Sequence, residues 1–145
     1  MSDELLHTGL YSLLTTDAPL VAIVGTRLYS SGAENQSSEE VYIVFDEISS
    51  RDEKSHDGDT ETPVSTFEFK IYAPTPILRL RASDALLDAL RGAEKTTNGS
   101  LLYFSSITRE YLYDATAEVT RENGGKRKLF RRLANFRIQW QDRRV

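Results

Sequence analysis

The feature that most constrains the fold is a long two-residue alternation near the end of the chain. Between Leu133 and Gln141, apolar side chains occupy every second position from Ala134 to Trp140, and mostly polar ones lie between them. A strand with this period buries one face, which a layer of helices or a second sheet must cover. The preceding break Asn123-Gly124-Gly125 is typical of an antiparallel hairpin. One face of the strand carries Ala134, Phe136, Ile138 and Trp140, and the other carries Leu133, Asn135, Arg137 and Gln139.

Earlier in the chain, some segments have apolar residues at helical spacing and others at strand spacing. Leucines from Leu5 to Leu14 recur at helical spacing, and Gly25 is placed to end a short second helix. Thr75-Pro76 supplies a capping hydroxyl and a first-turn proline for a longer helix, which Gly92 should end. The segment Glu47–Pro63 has many charges and no period, which predicts a mobile acidic loop that becomes ordered only in an assembly. The predicted strands are Val41–Phe45, Thr66–Ala73, Leu101–Ser106, Thr108–Thr120 and Phe130–Gln141.

This order of elements predicts the α+β class in a single domain over residues 1–145. We expect a mainly antiparallel β-sheet packed against an N-terminal helical pair and one long central helix. Phe136, Ile138 and Trp140 should pack in the core beside Leu86 and Leu90 of that long helix. A basic hairpin is predicted over residues 121–132.

Charge is distributed unevenly along the chain. The net charge of −4 combines thirteen acids and three bases in residues 1–62 with nine acids and fifteen bases in residues 63–145. Such asymmetry suggests nucleic acid or an acidic partner, including a second copy of the chain. We therefore take the charged residues of the two regions as interface candidates: Asp52, Glu53, Asp57, Asp59 and Glu61 in the acidic loop, and Lys126, Arg127, Lys128, Arg131 and Arg132 in the basic hairpin.

The sequence carries no catalytic signature. The chain has no cysteine and only two histidines, His7 and His56, far apart. The acids near Asp57–Glu61 could bind a hard cation, but the spacing of a calcium loop is missing, so a solvated loop is the simpler interpretation. We expect no enzyme activity, no cofactor and no membrane span, since no apolar run approaches the required length of about 20 residues. The acidic start of the chain also argues against a signal peptide.

The basic hairpin has two interpretations. Its side chains are those that contact phosphates, and Phe130 or Trp140 could stack on bases. These aromatic residues, however, belong to the predicted inward side of a strand, where core packing is the commoner role. Contact between this basic end and the acidic first half of a neighbouring subunit is the interpretation we favour, with a small nucleic-acid-binding module as the alternative.

Several segments, taken in order, resemble the tail-completion or tail terminator proteins of long-tailed bacteriophages. The resemblance covers most of residues 5–140 and depends on the order of its motifs rather than on one signature. It departs from the family at Glu39-Glu40, where many members have a proline. Arg27, in the second motif, is a further interface candidate, although it can also be an edge-strand cation after the Gly25 helix stop. The motifs are the leucine-rich first helix, the run Ala22–Tyr29, the strands Val41–Phe45 and Phe67–Ala73, the helix Ala82–Leu90 and the closing strand Asn135–Trp140.

The resemblance implies a structural, non-enzymatic role in a virion that is assembled in the host cytoplasm. Members of the family form a ring, commonly a hexamer, on the head-proximal end of the tail tube. Such a ring stops polymerisation of the tail tube protein and gives the head–tail connector or neck protein a docking face. Genomic DNA passes through the lumen without sequence-specific binding. A neck or head-completion adaptor of the same apparatus is an alternative.

Overall fold

The structure, a computed structural model, describes residues 3–30, 40–54, 61–94, 97–98, 102–120 and 125–142. These residues form three helices and six strands. The helices are α1 (Asp3–Thr16), α2 (Ala18–Val24) and α3 (Pro76–Ala93), and the strands are β1 (Leu28–Ser30), β2 (Tyr42–Lys54), β3 (Glu61–Ala73), β4 (Thr97–Asn98), β5 (Leu102–Thr120) and β6 (Lys126–Asp142).

All six strands join one sheet in the order β1-β2-β3-β6-β5-β4. The short strand β1 is parallel to β2, and every other neighbouring pair is antiparallel. The predicted α+β class with a mainly antiparallel sheet is therefore confirmed. The longest ladders are those of the hairpins β2–β3 and β5–β6. The two hairpins are joined in the middle of the sheet by ten registered pairs between β3 and β6.

Local capping fixes where the helices begin. The Asp17 carboxylate accepts a hydrogen bond from the Leu20 backbone N–H, and Gly25 ends α2 with a φ of 63° that favours glycine. The Thr75 hydroxyl caps α3 by accepting from Leu78 N–H, with proline following at the first turn, as predicted. The expected end of α3 at Gly92 is wrong. The helix continues to Ala93, and the following Glu94 accepts a hydrogen bond from the Ile107 N–H of β5 at 2.8 Å, which ties the helix end to the sheet.

The hydrophobic core lies between the three helices and one face of the sheet. Trp140, Phe136 and Ile138 of β6 are buried in one cluster with Leu86 and Leu90 of α3, so this prediction is confirmed. The buried indole N–H of Trp140 finds a partner in the Ser65 hydroxyl at 3.3 Å, as buried polar groups generally do. The same cluster holds Leu6, Leu10, Leu14, Leu20 and Val24 from the first two helices.

The predicted loop Glu47–Pro63 is wrong for the part that the structure describes. Strand β2 continues to Lys54 and β3 begins at Glu61, and these two residues face each other in the hairpin register. A bulge between Glu47 and Ser49 shifts the register. Hydrophobic period reveals a strand only where one face is buried, and most residues in this part of the hairpin are polar. Residues 55–60 lie outside the described part.

The closing hairpin is longer than predicted. Strand β5 is continuous from Leu102 to Thr120, and the expected break before Thr108 is absent. Two bulges, between Phe104 and Ser106 and between Arg109 and Tyr111, interrupt the alternation that the sequence interpretation used. Strand β6 begins at Lys126, four residues before the predicted start, because the backbone of the basic residues pairs with β5 although their sequence has no hydrophobic period.

Candidate interaction surfaces

The two faces of the sheet have different surroundings within the chain. Residues such as Phe69 and Phe136 point to the helices, and we call this the helix-covered face. The side chains between them point the other way, because successive side chains of a strand alternate. We call that side the open face, since the described helices contribute no residue to the apolar cluster on it.

The open face carries a mixed polar surface in the middle of the sheet. On β6 it presents Arg131, Leu133 and Asn135, all half-buried, opposite Tyr72, Lys70 and Glu68 of β3. The Lys70 ammonium lies 3.6 Å from a Glu68 carboxylate oxygen. Arg131 Nε and Asn135 Oδ1 are buried and make no hydrogen bond with the residues that the structure describes. Buried polar atoms are usually paired, so these two atoms mark a surface that a partner could complete.

Two tyrosines stand exposed at the β5 side of the open face. Tyr111 and Tyr113 lie opposite Asn135 and Leu133, their rings stack at a centroid distance of 6.5 Å, and they are 50% and 51% exposed. Strand β4 pairs with β5 only at Leu102 and Tyr103, so beyond that point β5 is an edge strand among the described strands. Sequence reasoning missed this pair. The alternation Tyr111-Leu112-Tyr113 was the available signal, because it places both rings on the face opposite Leu112.

The consecutive arginines of the predicted basic patch separate onto the two faces. Arg132 points to the helix-covered face, where its guanidinium holds the Asp114 carboxylate through two bonds of 2.7 and 2.8 Å and donates to the Ser83 hydroxyl of α3. Arg79 approaches the same carboxylate at 3.7 Å. The hydrogen bond from Arg132 lowers the pKa of Asp114 and raises the pKa of Arg132. Arg132 therefore serves a contact within the chain that joins β5, β6 and α3, whereas Arg131 lies on the open face.

Arg27 is also engaged within the chain. Its Nε donates to the Val41 carbonyl at 2.8 Å, one terminal nitrogen donates to the Ile23 carbonyl at 3.2 Å, and the other pairs with Glu40 at 2.8 Å. These contacts join the end of α2 to the start of β2, as expected of a cation beside the edge strand β1. A Cβ at Gly25 would lie 3.2 Å from this guanidinium. An interface role for Arg27 stays a prediction.

The remaining interface candidates lie on two strand ribbons that extend past the rest of the sheet. Asp52, Glu53 and Glu61 belong to the end of the β2–β3 hairpin, beyond its last pair with β6, while Asp57 and Asp59 lie outside the described residues. Lys126, Arg127 and Lys128 belong to the end of the β5–β6 hairpin, beyond its last pair with β3. We call residues 52–54 with 61–63 the acidic ribbon, and residues 117–120 with 126–129 the basic ribbon.

The described residues contain no grouping of three or more histidines and carboxylates that could hold a metal ion. Among the helices that the structure describes, none is long and apolar enough to cross a bilayer. The surfaces that stand out in this part of the chain are the open face and the two ribbons.

The fold defines a two-layer α+β protein with helices on one face of a six-stranded, mainly antiparallel sheet. It is similar to a chain in the solved virion of a native gene transfer agent particle, with a TM-score of 0.63 over 92% of this chain and 94% of that chain. The two sequences are 18% identical, so the similarity shows a shared fold. No protein-family model matches the sequence, and no curated protein matches it.

Proposed function

We propose that this chain is a structural subunit of a phage-like virion and that it works as a tail terminator. In this role, copies form a ring, commonly a hexamer, on the head-proximal end of the tail tube. The ring stops polymerisation of the tube protein and offers its other side to the head–tail connector or neck protein. DNA passes through the ring without sequence-specific contact.

The observation that carries this proposal is the near-complete correspondence of fold with a virion chain. The correspondence includes 92% of this chain and 94% of the other, so it is a match of whole domains and not of one shared motif. The family resemblance of the sequence narrows the virion role to tail completion. The surfaces on the described residues agree with an assembly role, because a subunit of a closed ring needs two different contact surfaces.

The decisive experiment is growth of tail tubes from purified tube protein of the same particle, with and without this chain. We expect tubes of reduced and uniform length, with a ring visible at one end by electron microscopy. Binding to connector protein without any effect on tube growth would instead identify a neck or head-completion adaptor. Tubes of unchanged length with no bound ring would contradict the proposed function.

A second candidate, nucleic-acid binding, is favoured by one observation. Lys70, Arg131 and Arg137 lie on the open face beside the exposed pair Tyr111 and Tyr113, and cations interleaved with aromatic rings suit a nucleic acid strand. Electrophoretic mobility shifts at stepwise increased salt test this candidate. A phosphate binder shows a steep decrease in affinity with salt, whereas a tube cap shows little binding at moderate salt.

A further inference from the structure

The acidic and basic ribbons project from opposite ends of the sheet. Strands β3 and β6 run antiparallel, and their ladder extends from Val64 opposite Gln139 to Ala73 opposite Phe130. The acidic ribbon continues past the first of these pairs and the basic ribbon past the second. At about 3.4 Å per residue, the ladder holds the two ribbons about 30 Å apart. Because the Debye length is about 8 Å at physiological salt, the ribbons cannot neutralise each other within one molecule.

Buried residues hold the base of each ribbon. At the acidic end, Val64 is buried and the adjacent Ser65 bonds to Trp140. At the basic end, Leu129 is fully buried in the open-face cluster with Tyr42 and Tyr72. Each ribbon is therefore a continuation of two paired strands that is anchored at its base by buried residues.

The charges of the two ribbons match in size and are opposite in sign. The acidic ribbon carries Asp52, Glu53 and Glu61 with Lys54, a net charge of −2. The basic ribbon carries Lys126, Arg127 and Lys128 with Glu118, a net charge of +2. The Lys128 side chain is exposed and lies 5.9 Å from the centre of the Phe130 ring. In the acidic ribbon, Pro63 has no N–H with which a further strand could pair, which favours contact through side chains over addition of a strand.

We propose that the basic ribbon of one copy binds the acidic ribbon of a second copy. This inference deepens the proposed function and rests on it, because it names the contact between neighbouring subunits of the ring. The contact is heterologous, since each copy uses one end of its sheet for one neighbour and the opposite end for the other. Charge complementarity of this kind fixes which surfaces meet and speeds their encounter.

The test uses two triple charge reversals in the full-length chain. The basic reversal is Lys126→Glu, Arg127→Glu and Lys128→Glu, and the acidic reversal is Asp52→Lys, Glu53→Lys and Glu61→Lys. Each reversal gives both ribbons the same sign. We expect the dissociation constant for self-association, measured by light scattering after size-exclusion chromatography, to rise by about 10- to 100-fold in either variant, since exposed pairs contribute little singly and add together.

Two further samples make the test specific. An equimolar mixture of the two variants should associate again, because each copy then meets neighbours of opposite sign. A chain that carries both reversals should self-associate like the wild type. Matched controls change the net charge equally at exposed positions away from both ribbons. Their substitutions are Arg81→Glu, Arg91→Glu and Arg109→Glu in one control, and Asp46→Lys, Asp88→Lys and Glu110→Lys in the other.

The inference is overturned if the wild type stays monomeric, if either reversal associates as its control does, or if the mixture stays monomeric. It is also overturned if the basic reversal abolishes DNA binding and leaves association intact. Failure of the proposed function is a separate result. Rings that assemble and respond to the reversals as expected, yet do not shorten tail tubes, would refute the terminator role and leave the ribbon contact standing.

Discussion

The helix-covered and open faces are built from the same strands and yet are used differently. On β3, Phe67, Phe69 and Ile71 are fully buried under the helices, whereas Glu68 and Lys70 between them are only half-buried. The backbone register is identical for both sets. The alternation therefore specifies which side chains share a face, while the helices decide which face becomes the core. The open face remains available to another molecule.

Among the described residues, the open face carries an apolar cluster near the point where the basic ribbon leaves the sheet. Tyr42 and Tyr72 stack there with ring centroids 4.7 Å apart, and Val44 and Leu129 complete a small buried cluster. The cluster includes Leu129 of the basic ribbon and reaches Val44, which lies opposite Lys70 of the polar middle. The difference between the two faces is thus one of degree, and substitutions can measure it.

The largest effect is expected in the core under the helix-covered face. Trp140→Ala removes a fully buried indole and should lower the free energy of unfolding by about 3–5 kcal/mol in urea titrations. Trp140→Phe is the matched variant, because it keeps most of the ring and loses the hydrogen bond to Ser65, at a cost of about 1 kcal/mol beyond the smaller volume. A loss below about 1 kcal/mol for the alanine variant would show that Trp140 does not hold the two layers together.

The next effect tests whether the open-face cluster is a true second core. Leu129→Ala should lower the free energy of unfolding by about 2–3 kcal/mol, since Leu129 is fully buried. Leu112→Ala, at a position 39% exposed on the neighbouring strand, should change it by about 0.5 kcal/mol or less. Leu112 faces the helix-covered side, opposite Ala134. Equal effects for the two variants would therefore mean that Leu129 contributes no more packing energy than a partly exposed leucine, and that the open-face cluster is not a second core.

Sequence reasoning recovered the parts of the fold that have one buried face. The apolar stripe of β6 lies where a local pattern matches burial, while the Thr75 cap of α3 and the Gly25 stop of α2 are signalled by a hydroxyl and by a glycine at the helix ends. It failed for the ends of both hairpins, because there the strands pair through their backbone while their side chains give no hydrophobic period. The bulges in β5 break the alternation of its side chains, so the continuity of that strand was also missed.

The sequence predicted the charge of the candidate surfaces but not their positions in the fold. Lys126–Lys128 and Asp52–Glu53 were recognised as charged segments, but only the register of β3 and β6 shows that they lie at opposite ends. The sequence could not show that Arg132 and Arg131 have different roles, because the partner of Arg132, Asp114, is eighteen residues away in the chain. Long-range pairing of this kind leaves no local signal.

A smaller, pH-dependent effect is expected from the Arg132–Asp114 pair. Its hydrogen bond lowers the pKa of Asp114, so the stabilisation is present above the ordinary pKa of 3.8 and is lost as the pH falls through the lowered value. Because the Asp114 side chain is 37% exposed, we expect Asp114→Asn to cost about 1 kcal/mol at pH 7. In urea titrations, this loss of unfolding free energy should become smaller below about pH 4. Asp88→Asn, at an exposed position of α3, is the control. If Asp114→Asn costs the same at pH 7 and at pH 3, ionic pairing is contradicted.

The smallest effect on folding is expected from the exposed tyrosines of the open face. Tyr111→Ser and Tyr113→Ser should each change the free energy of unfolding by about 0.5 kcal/mol or less, because both rings are half-exposed and mainly contact each other. Their stacking should appear as a coupling of at most about 0.5 kcal/mol between the two substitutions in a double-mutant cycle. Thr108→Ala, also exposed on this face, is the control. If the tyrosines serve a partner, the double variant keeps its stability and loses assembly or tube capping. If instead each substitution costs more than about 1 kcal/mol, the rings stabilise the fold itself, and the contrast between the two faces is smaller than their burial indicates.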